Sequence, residues 1–381
     1  MSGKALVIGG SGSTGPHLVE GLVERGWKVE IFHRGTHEVE LPDEVEHLHG
    51  DPHFQESAEE VLAGRSYDIA IVTYGRMKAL ANVLAGRCGH VFGVGGIGIY
   101  RGAFGNREDI SPLDPPLLIG EEGPLVEDCS DDSNVGDKLR FFMKIRAAED
   151  AVFEMSEKGV YDATYFRVPV IYGPRNILPW EWSVLRRVVD RRQYILVPDN
   201  GHQIHSRMAG RNAAHALLTA VDSPGVARGQ VYNCADDHQY SLRVWLELLV
   251  DIAGGNLEVI GLPNEIAVPG WSQVPAKGLG APHVFLDTSK IRRELGYVDV
   301  ISTEAALAES IEWYRRFPVT ADSHPAMADT FDYAFEDELL NAYRKSMGRL
   351  VDQFSIRVPE THRHSYPHPR TPNLVRDDLG R

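Results

Sequence analysis

Apolar residues fall along this chain in two alternating rhythms. The short runs ALVIGG, VEIFH, DIAIVTYG and HVFGVGGIGIY have the continuity of strands buried on both faces. Between them stand HLVEGLVERG, AEEVLAG and ALANVLAG, whose apolar positions recur three and four residues apart and so line one side of a helix. Strand and helix in strict alternation predict a parallel sheet with helices on its faces.

Residues 102–135 break the rhythm with Pro, Gly and acids and read as a long surface loop. A helix resumes near Asp137 (KLRFFMKIRAAEDAVFEM), and the strand DATYFRVPVIYG completes a first domain over residues 1–173. Beyond it, the helical stretches WSVLRRVVDRR, NAAHALLTAVDS and SLRVWLELLVDIAG alternate with YILVP, QVYNCA and LEVIGLP, too few strands for an independent sheet of normal size. Residues 174–317 are therefore expected to form a smaller substrate-binding lobe, with some elements returning to the first domain and a cleft between the two. Residues 318–381 form a C-terminal extension of one helical stretch, FEDELLNAYRKSMGRLVDQF, followed by a Pro- and His-rich tail. The fold expected is α/β, a Rossmann-type doubly wound parallel sheet with a smaller C-terminal lobe.

Composition narrows the partners. The 381 residues are 43% hydrophobic and 24% charged, an ordinary globular balance. A formal net charge of −15 disfavours nucleic acid and anionic membrane surfaces as partners and leaves a small-molecule substrate. Cys88, Cys129 and Cys234 lie far apart without CxxC spacing, against a zinc knuckle or disulfide framework. No apolar run approaches the ~18 residues of a membrane span, and no basic-then-apolar leader opens the chain, so a cytoplasmic location is expected. His362, His364 and His368 lack helical spacing and acidic partners, read as a solvated tail, and no metal is expected.

The most specific segment is KALVIGGSGSTG, residues 4–15: a strand runs into Gly9, Gly12 and Gly15 and then into a helical pattern. A coenzyme pyrophosphate needs small residues where its oxygens approach backbone N–H groups at a helix N-terminus. Gly9, Gly12, Ser13, Thr14 and Gly15 are the residues expected to meet it. At the end of the second strand the chain reads Phe32-His33-Arg34-Gly35, with a guanidinium where NAD-selective sites place a carboxylate. Pairing of Arg34 with a ribose 2′-phosphate favours NADP(H) over NAD(H); the alternative is that Arg34 is a solvated turn residue.

Taken in order, VIGGSGSTG, HVFGVGGIGIYRG, RVPVIYGPRN, LDTSKIRRELGY and ALAESIEWYRR resemble the extended short-chain dehydrogenase/reductase superfamily, the NAD(P)-dependent epimerase/dehydratase type. FHRGTHEVELPDEVEHLHGD is similar to its atypical branch, which includes chloroplast stem-loop-binding-like proteins. The resemblance implies that Asp51 accepts from the adenine amino group, that Tyr74 and Gly75 line the ribose, and that Val170 and Lys144 also bind the coenzyme, the lysine at the nicotinamide ribose. It also implies a homodimer built on the helices around Lys144 and Ala151.

The catalytic groups that the resemblance implies are a tyrosine, a lysine four residues later, and a Ser or Thr. Lys144 is preceded at that spacing by Arg140; if Glu149 is aligned with the superfamily's glutamate, the pair becomes Phe141 and Ile145. Neither register gives YxxxK, and the hydroxyl position is Gly96, four residues before Tyr100. Tyr100 with Lys144 is the replacement acid–base pair to test, since a nearby cation favours the phenolate; Tyr172 and His205 are weaker candidates. HSRMAGRNAA lacks the paired acids of RDFVHVDDVA in nucleotide-sugar enzymes and has Asn212 in the second place. Pro179, Trp180, Glu181 and Trp182 offer large apolar faces near the cleft. The leading expectation is an NADP(H)-dependent oxidoreductase or epimerase-like enzyme for a small substrate that is not a nucleotide sugar. Its rivals are a catalytically silent NADP(H)-binding sensor or scaffold and a nucleotide-sugar epimerase or dehydratase.

Overall fold

The computed structural model describes residues 3–36, 39–103, 117–126, 137–273, 283–324, 327 and 329–354. Residues 1–330 and 331–381 are two compact units. In the first, the strands are β1 (Lys4–Ile8), β2 (Lys28–His33), β3 (Glu46–His49), β4 (Tyr67–Val72), β5 (Cys88–Gly96), β6 (Asp162–Val168), β7 (Val170–Tyr172), β8 (Tyr194–Pro198), β9 (Arg207–Ala209), β10 (Gln230–Asn233) and β11 (Glu258–Leu262). Its helices are α1 (Gly15–Glu24), α2 (Gln55–Val61), α3 (Met77–Val83), α4 (Asp137–Glu157), α5 (Trp180–Val189), α6 (Gly210–Asp222), α7 (Pro224–Ala227), α8 (Leu242–Ile252), α9 (Ser289–Leu295) and α10 (Thr303–Arg316). The second unit contains α11 (Tyr333–Phe354), which covers the predicted helical stretch; the tail from 355 onward, with His362, His364 and His368, lies outside the described residues.

The central sheet runs β10-β6-β5-β4-β1-β2-β3, parallel at every pairing. Winding reverses between β1 and β4, which opens a crevice outside the C-terminal ends of these strands. The two windings cover both faces of the sheet, and Ala5, Leu6, Val7 and Ile8 are all fully buried. Ala5 and Val7 pack with Leu18, Leu22, Ile31 and Leu217 on the α1/α6 face. Leu6 and Ile8 pack with Phe32, Ala58, Leu80 and Val152 on the face of α2, α3 and α4. The two-residue period of a strand makes this division.

Three features differ from the sequence expectation. β3 is an edge strand whose EHLH carries one buried apolar residue, Leu48, too weak a pattern to read as a strand. QVYNCA does not belong to a separate lobe sheet: β10 extends the main sheet beside β6, from Gln230↔Thr164 to Asn233↔Arg167. Within the supposed surface loop, Ile119 and Val126 are buried, and Ile119 packs with Tyr100, Val284 and Leu286. Residues 104–116 and 127–136 of that loop, including Cys129, lie outside the described residues. β7–β9 and β8–β11 form two short parallel pairs. Among the described residues no helix is long and apolar enough to cross a membrane.

Candidate coenzyme and substrate site

The bend between β1 and α1 is held open by backbone contacts that only glycine permits. A Cβ on Gly15 would lie 2.1 Å from the Gly10 carbonyl, and one on Gly9, at φ +107°, would lie 2.3 Å from Thr73 Oγ1. Gly12 differs from both: a Cβ there meets nothing within 4 Å, so its small size spares space in the crevice and relieves no crowding within the protein. Thr14 is the N-cap of α1 without a side-chain capping bond, Pro16 opens the helix, and its first turn carries no acid. The Gly15 N–H already bonds the Gly12 carbonyl at 3.2 Å and Pro16 has none, so what this end of α1 offers an anion is chiefly its helix dipole. Across the crevice mouth the loop touches the second half of the chain: a Cβ on Gly210, the first residue of α6, would lie 2.3 Å from the Ser13 carbonyl oxygen. Ser13 Oγ also donates to the Gly173 carbonyl at 3.5 Å.

The residues assigned to the adenosine end converge at the tips of β2, β3 and β4. The Arg34 guanidinium lies 5.5 Å from the Tyr74 ring centre. His53 meets the same ring edge-on at 4.7 Å. Asp51 accepts from the His53 backbone N–H at 2.9 Å and pairs with its Nδ1 at 2.8 Å. These bonds hold the Asp51 carboxyl below its usual range, the backbone bond being the largest cause and Arg34 a smaller one. Gly75 follows at φ +105° against Pro52.

At the opposite end of the crevice the expected catalytic pair does not form. Tyr100 is 1% exposed; its hydroxyl donates to Asn233 Oδ1 at 2.6 Å and accepts from Arg167 Nη1 at 2.9 Å. Burial pushes this phenol up to about 12, against the pull of Arg167. Arg167 in turn grips Glu149 at 2.6 and 2.9 Å, a buried bidentate pair. Lys144, on the same helix as Glu149, is exposed. The cation beside the Tyr100 hydroxyl is therefore Arg167. Gly96 offers no hydroxyl and its missing Cβ faces nothing nearer than 4.0 Å, while the missing Cβ of Gly95 would fall 2.5 Å from the Tyr165 hydroxyl oxygen.

The wall contributed by the second half of the chain is a buried polar network. Tyr172 donates to Asp236 at 2.7 Å, and Asn212 Nδ2 donates to the same carboxylate at 2.8 Å. Asn212 Oδ1 accepts from the backbone N–H groups of Val300 and Ile301, which gives this residue a scaffolding role. Burial raises Asp236 to about 6. Glu181 is fully buried, accepts from the Gly173 N–H at 3.0 Å, leaves Oε2 without a partner, and is pushed up by burial to about 7. Val170, Tyr172, Trp180, Arg207, Trp245, Leu246 and Gln273 line a cavity about the size of one water molecule. Arg207 stacks 4.6 Å from the Trp245 ring, and burial lowers it to about 10. His205 is buried with neither ring nitrogen hydrogen-bonded, and burial lowers it to about 3, so it is neutral.

No family model matches the sequence. A 3-beta-hydroxysteroid dehydrogenase of Mycolicibacterium neoaurum is 23% identical over 344 residues, 82% of this chain and 91% of that protein. The UDP-glucose 4-epimerase of Thermotoga maritima, solved with UDP-glucose, superposes with a TM-score of 0.64 at 16% identity, over 82% of this chain and 99% of that one. Bordetella bronchiseptica WbmH, solved with NAD+, superposes with a TM-score of 0.63 at 15% identity, over 84% of this chain and 100% of that one. The fold is that of the extended short-chain dehydrogenases/reductases.

Within the extended short-chain dehydrogenase/reductase fold, sequence reasoning missed the groups that hold the two halves together. Gly210 follows a short strand and was legible only as a possible turn; its contact with Ser13 is tertiary. Arg167, Asn233 and Glu181 could have been flagged as polar residues inside the apolar runs YFRVPV and VYNCA and the helix WEWSVL.

Proposed function

We propose that this chain is a nicotinamide-coenzyme-dependent oxidoreductase or epimerase-type enzyme that prefers NADP(H) and acts on a small substrate. The observation that supports this reading is the closeness of the glycine bend to the Arg34, Asp51 and Tyr74 group: a Cβ on Gly9 would lie 3.0 Å from Tyr74 Cβ, Arg34 lies 5.5 Å from the Tyr74 ring and acts on Asp51, and Gly12 faces open space. Gly9, Gly12, Ser13, Thr14 and Gly15 would cradle the pyrophosphate, Tyr74 and Gly75 the ribose, Asp51 the adenine, and Val170 the nicotinamide end. The bound coenzyme would supply or accept hydride. Arg34 supports the phosphorylated ribose by charge, whereas the solved relative WbmH holds NAD+.

The acid–base set departs from the superfamily pattern. In the enzymatic reading Tyr100 is the phenol that donates the proton, and Arg167 offsets part of the rise that burial imposes on it. The curated relative, named a hydroxysteroid dehydrogenase, makes a hydroxysteroid the first substrate to try. The lack of the paired acids of RDFVHVDDVA in HSRMAGRNAA weighs against a nucleotide sugar. The second reading, a silent coenzyme-binding sensor, draws on the engagement of the Tyr100 hydroxyl with Asn233 and Arg167 and on the exposure of Lys144. Incubating purified protein with NADP+ or NAD+ and a panel of hydroxysteroids and smaller alcohols decides between them. Reduced coenzyme accumulating in wild type and not in Tyr100→Phe supports the enzyme, and coenzyme binding without turnover supports the sensor.

A further inference from the structure

We propose that His33, His47 and His49 form a binding site for one divalent transition-metal cation, Zn2+ or a cation of similar borderline character. Strand register brings the three together. His33 pairs with His49 across β2 and β3, and His47 precedes His49 by two residues, so all three side chains leave the same face of the sheet. One ring nitrogen from each lies within 4.8 Å of the others. Ring centres are 4.9 Å apart for His33 and His49 and 5.2 Å for His33 and His47.

The donor distances suit a tetrahedral ion. Metal–nitrogen bonds of about 2.0–2.1 Å put two imidazole nitrogens about 3.3 Å apart in that geometry. His33 Nε2 and His47 Nδ1 stand 3.2 Å apart. His49 is exposed at the sheet edge, where rotation of its side chain closes the remaining gap and leaves a fourth position to water. Gly35, at φ +71°, folds back over the group: its N–H donates to His33 Nδ1 at 3.3 Å, and a Cβ there would lie 3.2 Å from the His49 ring. With Nδ1 accepting, the proton of neutral His33 sits on Nε2, directed at His47. Uptake of the cation shifts that proton to Nδ1 at the expense of the long Gly35 bond and leaves both facing nitrogens as ligands.

Donor chemistry selects the class of ion. Glu30 and Glu46, neighbours of these histidines in sequence, leave the opposite face of the sheet and are bound by Arg65 at 2.9 Å. Among the described residues the donor set is all imidazole, which takes Zn2+, Cu2+ or Ni2+ in preference to the oxygen-seeking Mg2+ or Ca2+.

The test is a titration of the full chain, stripped with a chelator, with Co2+ read by visible absorption and Zn2+ read by calorimetry. The proposal expects one tight equivalent with a tetrahedral Co2+ spectrum. This binding is lost in His47→Ala and in His49→Ala and kept when His362, His364 and His368 are all replaced by alanine. His49→Gln, at an exposed position, guards against loss by misfolding, and the melting curves of all variants are recorded alongside. Absence of saturable binding in wild type, binding that survives both single substitutions, or binding that vanishes only with the tail histidines overturns the proposal.

Discussion

Arg167 Nη1 donates at 2.9 Å to the Tyr100 hydroxyl and at 2.8 Å to the Glu121 carbonyl, while Nε and Nη2 are committed to Glu149. Cation, phenol and carboxylate thus form one buried unit between β5, β6 and α4. Removing the Tyr100 hydroxyl leaves Asn233 Oδ1 without its donor, an unmet polar group that costs about 1–3 kcal/mol. Tyr100→Phe is therefore expected to unfold at lower denaturant concentration by that amount while its coenzyme affinity stays within twofold of wild type. A change in coenzyme affinity larger than the change in stability would place Tyr100 in the coenzyme site instead.

Breaking the ion pair is more severe. Glu149→Gln strands a buried guanidinium, and loss of one partner of a buried pair costs about 3–5 kcal/mol. Lys144→Ala, at an exposed position on the same helix, is expected to change stability by less than about 0.5 kcal/mol. Chemical denaturation of the two variants side by side checks the contrast.

Gly210→Ala drives a Cβ into the Ser13 carbonyl, so α6 and the glycine bend have to separate. Overpacking of this kind costs about 1–3 kcal/mol. Because Ser13 belongs to the proposed pyrophosphate cradle, coenzyme affinity is expected to fall with it, although Gly210 is outside that cradle. Binding titration beside a thermal melt measures both. Unchanged affinity would show that the bend keeps its shape without α6.

Stability is expected to depend on pH through Glu181. Its carboxyl is raised from 4.5 to about 7 in the folded chain, so folding favours the protonated form. Below pH 4.5 folded and unfolded states are both protonated and this residue exacts no penalty; between 4.5 and about 7 only the unfolded state ionises, and stability falls; above 7 the loss is complete. Asp236, raised from 3.8 to about 6, pulls the same way over a slightly lower range. Glu181→Gln is expected to flatten the decline and to gain up to about 3 kcal/mol at pH 8, from roughly 1.4 kcal/mol per pH unit. Denaturant midpoints across that range decide it, and a variant curve parallel to wild type would contradict the assignment.

The fold was legible where one short-range rule decides a segment. β1, the glycine bend and α1 follow from KALVIGGSGSTG because the sharp turn and the close Gly15–Gly10 approach are dictated locally. β3 was not legible, because an edge strand needs few apolar residues and Leu48 alone faces the core. The destination of β10 was equally hidden: VYNC reads as a strand anywhere, and only its register with β6 puts Asn233 under Tyr100. Spacing alone paired Tyr100 with Lys144, whereas helix phase turns Glu149 inward and leaves Lys144 exposed. The triple histidine was missed for the same reason as β3, since the strand pairing that aligns His33 with His49 was not foreseen.

The proposed preference for NADP(H) rests on Arg34. Its side chain stands beside Tyr74, β2 ends Phe32-His33-Arg34-Gly35 without an acid, and a charge-assisted bond to a 2′-phosphate contributes about 1.5–3 kcal/mol. Arg34→Ala is expected to weaken NADPH binding by roughly 10- to 100-fold and to leave NADH within a few-fold of wild type. Equal weakening of both would return Arg34 to the status of a surface turn residue.

The most direct measurement is a fluorescence titration of the purified wild-type chain with NADPH and, separately, with NADH. Saturable binding of one coenzyme per chain, tighter for NADPH and abolished in Gly15→Val, is the outcome required if the crevice at β1 and β4 is a coenzyme site. Failure of both reduced coenzymes to bind would contradict it.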